Sequence, residues 1–123
     1  FFPFMLLHDF FEIIENDFSS GKMISKIKLN PKHRIFEGHF PDNPITPGVV
    51  QIQMVKEILE NFYQKELHLI TMSRCNFLKI LNPQEAPEIT IHINISVAEK
   101  SIKINASGHN KESVFFKISA LFQ

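Results

Sequence analysis

The sequence predicts an α+β domain in which one long helix is wrapped by an antiparallel sheet of about five to six strands. Three observations predict it. The 123 residues suit one domain, covering residues 1–123, and at 44% hydrophobic they can bury a sizeable core. Residues 49–63 carry apolar side chains at helical spacing. Most other segments are rich in β-branched and aromatic residues or alternate apolar with polar ones, as strands do.

The first predicted element is a hairpin, which a long loop follows. Residues 10–15 (FFEIIE) and 22–29 (KMISKIKL) have strand composition, and residues 16–21 (NDFSSG) between them have turn composition. Residues 30–48 are dense in Pro, Gly, Asn and Asp, which predicts an ordered loop. Loops of that length inside compact domains usually carry function.

The helix is predicted to start where this loop ends. Thr46 suits the N-cap and Pro47 suits the first helical position. Beyond them, apolar residues recur at the spacing that places them on one face of a helix, namely Ile52, Val55, Leu59 and Phe62.

The second half of the chain predicts strands. Residues 67–80 form one long or broken strand, and residues 101–108 and 113–122 complete a meander. Residues 88–99 alternate cleanly, with His92 on the polar, solvent-exposed face and five apolar residues on the other: Ile89, Ile91, Ile93, Ile95 and Val97. Because one helix cannot cover both faces of such a sheet, a second copy of the chain is expected to complete the structure.

Charge and cysteine usage narrow the class of protein. Thirteen basic and thirteen acidic residues balance, so no net field draws the chain to nucleic acid or to an anionic membrane. The single cysteine, Cys75, fits a reducing compartment and is expected to be a half-buried thiol. The opening apolar run is shorter than the roughly 20 residues of a membrane span and lacks signal-peptide features. A cytoplasmic location is therefore expected.

Aromatic and histidine usage bear on the ligand. The chain has 13 phenylalanines, one tyrosine and no tryptophan, which suits either a large core or an apolar tunnel for a chain-like ligand. Composition leaves both open. Metal-ligand spacing is absent between any pair of five histidines, so no metal is expected there: His8, His33, His68, His92 and His109.

Residues 38–53 (GHFPDNPITPGVVQIQ) carry the most chemistry. Pro41, Pro44 and Pro47 each fix a backbone φ angle, so the segment is stiff. His39 suits a general base near neutral pH. Gly48 lies in the first helical turn, where a free N–H group and the helix dipole favour negative charge on a ligand oxygen. A polyproline ligand and a structural histidine are the alternatives that these residues leave open.

Residues 38–50 resemble the signature GHFPxxPxxPGV of the 3-hydroxyacyl-(acyl carrier protein) dehydratases of fatty acid synthesis. The preceding HRIF and the later RCNFLKILNP fit the same family more weakly, and the PGD turn of the family is replaced by residues 82–84 (NPQ). The resemblance extends from about Ser25 onward. It implies a hot-dog fold, in which an antiparallel sheet wraps a long helix, and a homodimer or higher assembly of dimers.

The resemblance also implies roles for individual residues. His39 matches the base that removes the α-proton of the thioester, and Gly48 matches the backbone donor that polarises its carbonyl. Phe36, Phe40 and Phe77 are expected to wall the acyl tunnel. The family further implies a cis peptide between His39 and Phe40.

The resemblance has further implications for how the substrate is carried and for which subunits form each site. The phosphopantetheine arm of an acyl carrier protein brings the acyl chain, and no metal or organic cofactor is needed. Each active site combines a histidine from one subunit with a carboxylate from the helix of the other.

The chain departs from the family at the second catalytic position. Gln53 stands where the family has a glutamate or aspartate, and Glu57 stands one turn on, where the family often has glutamine. Glutamine cannot deliver a proton, so this position is expected to be weakened, with Glu57 as an alternative acid. A solvated polar stripe on the helix is the other explanation: Gln53, Glu57, Glu60 and Gln64.

The resulting hypothesis is a dehydratase that converts a 3-hydroxyacyl thioester on acyl carrier protein, or on coenzyme A, to the trans-2-enoyl thioester. Its first alternative is a catalytically degenerate hot-dog subunit that binds acyl chains or pairs with an active partner, which Gln53 favours. Its second is an acyl thioesterase, in which Glu57 would direct water at the thioester carbon.

Overall fold

The computed structural model describes residues 5–37 and 44–123, and these form one helix and six strands. All strand pairs are antiparallel, in the order β1-β2-β4-β5-β6-β3. The strand count and the element order agree with the sequence prediction. The elements are β1 (Phe11–Ser19), β2 (Lys22–Leu29), a short 3₁₀ helix (Arg34–Phe36), α1 (Gly48–Tyr63), β3 (Leu69–Phe77), β4 (Glu88–Val97), β5 (Ile102–His109) and β6 (Val114–Phe122).

The core lies between α1 and one face of the sheet. Val50, Met54 and Ile58 recur at helical spacing and are fully buried on α1. The alternating isoleucines of the central strands are buried in the same cluster, which includes Ile27, Ile91, Ile93 and Ile104. The predicted alternation of residues 88–99 is confirmed for Ile89, Ile91 and Ile93, whereas Val97 at the strand end is 68% exposed.

The predicted hairpin is present, but its turn is shorter than expected. Ser20 and Gly21 alone connect the strands, with φ angles of 51° and 76° that suit a two-residue hairpin turn. Residues 16–19 are strand instead of turn. Asn16 pairs with Ser25 and accepts a 2.6 Å hydrogen bond from its hydroxyl, so cross-strand pairing overrides the local turn preference.

The helix begins one residue later than predicted. Pro47 is the N-cap, with an extended ψ of 151°, and Gly48 is the first helical residue. The carbonyl of Pro47 accepts from the N–H groups of Val50 and Gln51. Thr46 does not cap the helix, because its backbone N–H is tied to the carbonyl of Leu81 at 2.9 Å.

Two predictions for single side chains have different outcomes. Cys75 is half-buried, as expected, and burial raises the pKa of its thiol. His92 is half-buried rather than exposed, because its ring packs against His109 on the next strand with 4.5 Å between ring centroids. Burial, then His109 and Lys22, lower the pKa of His92 from its ordinary 6.5.

Two further predictions concern the peptide between His39 and Phe40 and the absence of a membrane span. His39, Phe40 and the cis peptide predicted between them lie outside the described residues. Within residues 5–37 and 44–123, no helix is both long enough and apolar enough to cross a membrane.

Candidate active site

The start of α1 is the centre of the candidate site. Gly48 is the first helical residue, and its N–H has no acceptor among residues 5–37 and 44–123. The aromatic ring of Phe77, at the end of β3, packs directly on Gly48. A Cβ atom added there would lie 2.6 Å from both Cε2 and Cζ of that ring, so the close approach requires glycine. Among the described residues, the helix therefore presents an unpaired N–H group at a wall formed by an aromatic side chain.

A groove of about 360 Å³ opens beside this contact. Its walls are the end of β3 and the segment after it, and its floor is the start of α1. Three of the wall residues are large, apolar and exposed by 46–63%: Phe77, Leu78 and Ile80. A concave apolar surface next to a free backbone donor suits an acyl chain that ends in a carbonyl group.

Two buried polar atoms at the groove have no partner in the described part of the chain. They are the hydroxyl oxygen of Thr46 and the side-chain Oε1 of Gln51. The Nε2 of Gln51 donates to the carbonyl of Thr46 at 3.1 Å, which turns Oε1 away from that carbonyl. Buried polar groups are nearly always hydrogen-bonded in folded proteins, so these two atoms mark positions in the groove where a polar ligand atom could bind. The sequence did not predict either atom as part of the site, because residue spacing does not show whether a buried polar atom has a hydrogen-bond partner.

Glu57 is completely buried, at 0% exposure, which contradicts the solvated stripe as an account of this residue. Its Oε1 accepts from the N–H groups of Leu6 at 2.9 Å and Leu7 at 2.7 Å. Its Oε2 accepts from the Nε2 of Gln53 at 2.8 Å and also lies 3.0 Å from the N–H of Leu6. The sequence carried no signal for this contact, because its partners lie about fifty residues away.

The other two members of the predicted stripe behave differently. Glu60 is half-buried, and its Oε2 accepts from the N–H of Leu67 at 2.8 Å. Gln64 is exposed and ends the helix with a left-handed φ of 56°. Of the four stripe residues, Gln64 is exposed, Gln53 and Glu60 are half-buried, and Glu57 is buried.

The contact with Glu57 orients the amide of Gln53. Carboxylate oxygens accept hydrogen bonds, so the Nε2 of Gln53 faces Glu57 and its Oε1 faces away. Within the described ranges this Oε1 has no donor, and the side chain is half-buried. Gln53 therefore offers an acceptor to whatever lies on that side.

Comparison with known proteins identifies the family. The model of the ApeI-like family, described as ApeI dehydratase, matches residues 15–116. The chain belongs to the ApeI-like dehydratase family. Membership of a dehydratase family agrees with the resemblance of residues 38–50.

Curated relatives of this ApeI-like chain include dehydratases named FabZ. One from a Thermoanaerobacter species, described as 3-hydroxyacyl-(acyl carrier protein) dehydratase FabZ, is 35% identical over 91 residues. That match covers 67% of this chain but only 60% of the relative. A FabZ from Rickettsia bellii is 26% identical over 111 residues, covering 84% of this chain and 71% of the relative.

Solved structures of similar shape confirm the hot-dog fold. The dehydratase heterocomplex ApeI:P from Xenorhabdus doucetiae contains a chain that superposes with a TM-score of 0.70 at 18% identity, covering 90% of this chain and 96% of that one. A sigma28-regulated virulence protein from Campylobacter jejuni superposes with a TM-score of 0.65 at 14% identity, covering 98% and 86%. At such identities these likenesses concern the fold alone.

The predicted site residues of this ApeI-like chain that the structure describes fall into three groups, and His39 and Phe40 lie outside them. Gly48 and Phe77 are brought together at the groove. Gln53 and Glu57 contact each other on α1. Phe36 is buried in the core with its ring centroid 6.0 Å from that of Phe10, so its place in an acyl tunnel stays a prediction.

Proposed function

We propose that this chain dehydrates a 3-hydroxyacyl thioester, carried by acyl carrier protein, to the trans-2-enoyl thioester in fatty acid or related lipid synthesis. The observation that carries the proposal is the contact of Phe77 with Gly48 beside an apolar groove. This contact places the backbone N–H of Gly48, which has no acceptor among the described residues, next to a surface that suits an acyl chain. Family membership and the names of the FabZ relatives support the same reaction.

In the proposed reaction, His39 removes the α-proton of the thioester. The electrons of that C–H bond move to the carbonyl oxygen, where the Gly48 N–H and the helix dipole stabilise the negative charge. The electrons then return to form the double bond between the α and β carbons as the bond to the β-hydroxyl breaks. The hydroxyl leaves as water after it takes a proton from the imidazolium of His39.

Gln53 assists this last step as an acceptor and not as an acid. Its Nε2 is engaged with Glu57, so its Oε1 can accept a hydrogen bond from the β-hydroxyl. That bond would turn the lone pairs of the hydroxyl toward the proton donor. The position is thus weakened relative to a carboxylic acid but keeps an orienting role.

The buried state of Glu57 argues against this residue as the acid. Two backbone N–H groups and one amide occupy its oxygens, and no part of its side chain is exposed. A general acid must reach the leaving group directly or through one water. The same observation weakens the thioesterase alternative, which needs Glu57 to direct water.

The proposed assembly is a homodimer, or a higher assembly of dimers, in which each site takes groups from two subunits. Strand β3 lies at one end of the sheet, and β6 is its one neighbour in the described chain. Apolar side chains of β3 and the following segment are exposed, including Leu69, Ile70, Phe77 and Ile80. An exposed edge with such side chains suits pairing with another chain. The structural neighbour described as a dehydratase heterocomplex makes a related but different chain the alternative partner.

The remaining properties follow from the resemblance and the composition. The chain would work as one domain, residues 1–123, without a metal or organic cofactor. Lys79 lines the groove and offers positive charge to an acidic carrier protein. A cytoplasmic location is proposed on the single, half-buried Cys75, which fits a reducing compartment.

The test is a turnover assay with matched thioesters. The protein is incubated with a 3-hydroxyacyl thioester on acyl carrier protein and on coenzyme A, and the conjugated enoyl product is followed by ultraviolet absorbance. A saturated acyl thioester and a thiol reagent test for hydrolysis. Dehydration that His39→Ala abolishes is the expected result. Thiol release without dehydration would establish a thioesterase, and no turnover together with acyl binding would establish a degenerate subunit.

A further inference from the structure

Residues 5–10 form a compact strap that contacts the middle of the helix at Glu57. The carbonyl of Leu6 accepts from the N–H groups of Asp9 at 3.0 Å and Phe10 at 2.6 Å, which closes a tight turn. His8 has a left-handed φ of 73° within that turn. Leu6 and Phe10 are both 0% exposed, so the strap is part of the core and not a loose end.

One end of the strap is anchored on α1. The consecutive N–H groups of Leu6 and Leu7 both donate to the carboxylate of Glu57. The same carboxylate accepts from Gln53, one helical turn toward the candidate site. A single buried side chain therefore links the strap to the residue that faces the substrate in the proposed function.

The other end of the strap is anchored at His33, which precedes the catalytic motif in the sequence. The Nε2 of His33 lies 2.9 Å from Oδ2 of Asp9, and its Nδ1 accepts from the N–H of Ile35 at 3.1 Å. Since Nδ1 accepts, Nε2 carries the proton and donates it to Asp9. The ring of Phe10 also packs edge-on against that of His33, with 5.5 Å between centroids. His33 caps the 3₁₀ helix Arg34–Phe36, which leads into the segment that contains His39.

We propose that the strap is a positioning element of the active site, with Glu57 and the Asp9–His33 pair as its positioning residues. This inference rests on the proposed function. Glu57 turns the amide of Gln53 so that its oxygen faces the leaving hydroxyl. The Asp9–His33 pair holds the root of the segment that carries the base. The strap thus positions both groups that one subunit contributes, Gln53 through Glu57 and His39 through the segment after His33. In the proposed dimer these two groups serve different sites.

The substitution Glu57→Gln distinguishes a residue that orients Gln53 from one that only anchors the strap. In Glu57→Gln, the introduced amide oxygen can still accept from Leu6 and Leu7, so the strap stays in place. The introduced NH₂ group then faces Gln53, whose amide must rotate to present its oxygen. The candidate site would consequently meet a donor where the wild type offers an acceptor.

The experiment compares Glu57→Gln with Glu60→Gln on the intact chain. Glu60 is the matched control, because it lies on the same helix and accepts a backbone N–H of Leu67 but does not touch the strap. We expect Glu57→Gln to lower kcat about tenfold, the worth of one hydrogen bond, while KM changes by less than about twofold. Glu60→Gln should leave kcat unchanged. Equal kcat values in the two variants would overturn the role of Glu57.

The other anchor is tested by rescue at Asp9. Asp9→Ala removes the acceptor for His33, and we expect kcat to fall by about tenfold. Asp9→Asn keeps an oxygen that can accept from Nε2 and should restore most of that loss. A loss of equal size in both variants would show that the charge, and not the positioning contact, is what matters.

Two measurements separate this proposal from the proposed function. Hydrogen exchange on the wild type should show the amides of Leu6 and Leu7 protected as strongly as those in the middle of α1, whatever the reaction is. Rapid exchange at both would overturn the strap even if the variants failed to fold. If the wild type shows no dehydration, the proposed function fails, whereas an active wild type with unaffected Glu57→Gln defeats only the strap.

Discussion

The ring of Phe77 lies directly against the first residue of α1, Gly48. The space between them is so narrow that a Cβ on Gly48 would lie 2.6 Å from two ring atoms. This contact joins the end of β3 to the start of the helix and brings an apolar wall to an N–H group that has no acceptor in residues 5–37 and 44–123. It is the point where the motif GHFPDNPITPG meets a residue almost thirty positions later.

We expect Gly48→Ala to lower kcat by about 10²-fold, because the added methyl group must displace the ring of Phe77 and shift the donor. Thermal stability should change little, since alanine is a good helix former and Phe77, at 46% exposure, can move outward. Steady-state kinetics and a melting curve measure the two effects separately.

The control for this variant is the double change Gly48→Ala with Phe77→Leu. Leucine lacks the Cε2 and Cζ atoms that the methyl group would meet. Part of the lost kcat should return relative to Gly48→Ala alone. If the double variant is no more active than the product of the single effects predicts, the steric explanation fails.

A second prediction concerns the exchanged pair on α1. Gln53→Glu alone should destabilise the protein by about 1–3 kcal/mol, because it loses the donor to Glu57 and sets two carboxyl groups side by side. The swap Gln53→Glu with Glu57→Gln should be more stable than this single variant. The introduced glutamine can accept from Leu6 and Leu7 and donate to the introduced carboxylate.

The swap should also be more active than the wild type. It places a group that can deliver a proton at the second catalytic position, and general acid catalysis contributes about 10²–10⁴-fold. Melting temperatures and kcat for wild type, both single variants and the swap form one complete cycle. A swap that is as unstable as Gln53→Glu would show that the hydrogen bonds of Glu57 do not matter to folding.

A third prediction concerns assembly through the β3 edge. Ile70→Glu adds charge to an exposed apolar position on β3, away from the groove, and should convert a dimer to a less active monomer, because charge at a buried interface is costly. Val97→Glu, on another exposed apolar residue, at the end of β4, is the control and should leave the dimer intact. Sedimentation velocity measures both. A wild type that is monomeric and fully active at micromolar concentration would contradict the assembly.

A fourth prediction concerns pH. Burial, and then the positive fields of His109 and Lys22, lower the pKa of His92 from 6.5, so the folded protein disfavours its protonated form. The stability that neutral His92 contributes is complete above pH 6.5 and is lost as the pH falls through the lowered pKa.

The test is an NMR titration of the His92 ring in two lysine variants. Lys22→Gln removes one of the charges and should move the pKa of His92 back toward 6.5. Lys103→Gln, an exposed lysine on β5, should leave the titration unchanged. Unfolding curves of His92→Asn should vary less with pH than those of the wild type between pH 6.5 and the lowered pKa.

The sequence by itself predicted the element order and the candidate chemistry of residues 38–53. Alternation at Ile89, Ile91 and Ile93 and helical spacing at Val55 and Leu59 predicted which faces are buried, because periodicity is a local property. The bounds of helices and strands predicted from local sequence were least accurate at the ends of the elements. The turn after β1 is two residues because pairing of Asn16 with Ser25 extends the strand, and α1 starts at Gly48 because Thr46 is tied to Leu81.

Only the tertiary structure decided what Glu57 does. On the helix it is one of four polar residues in a stripe that local spacing assigns to solvent. Folding brings the strap over it, so it becomes a fully buried acceptor for Leu6 and Leu7 and orients Gln53. The contact of Phe77 with Gly48 is of the same kind. Both contacts join residues that are far apart in the chain. Whether a polar group is exposed or hydrogen-bonded depends on such distant partners, and helical or strand periodicity does not encode them.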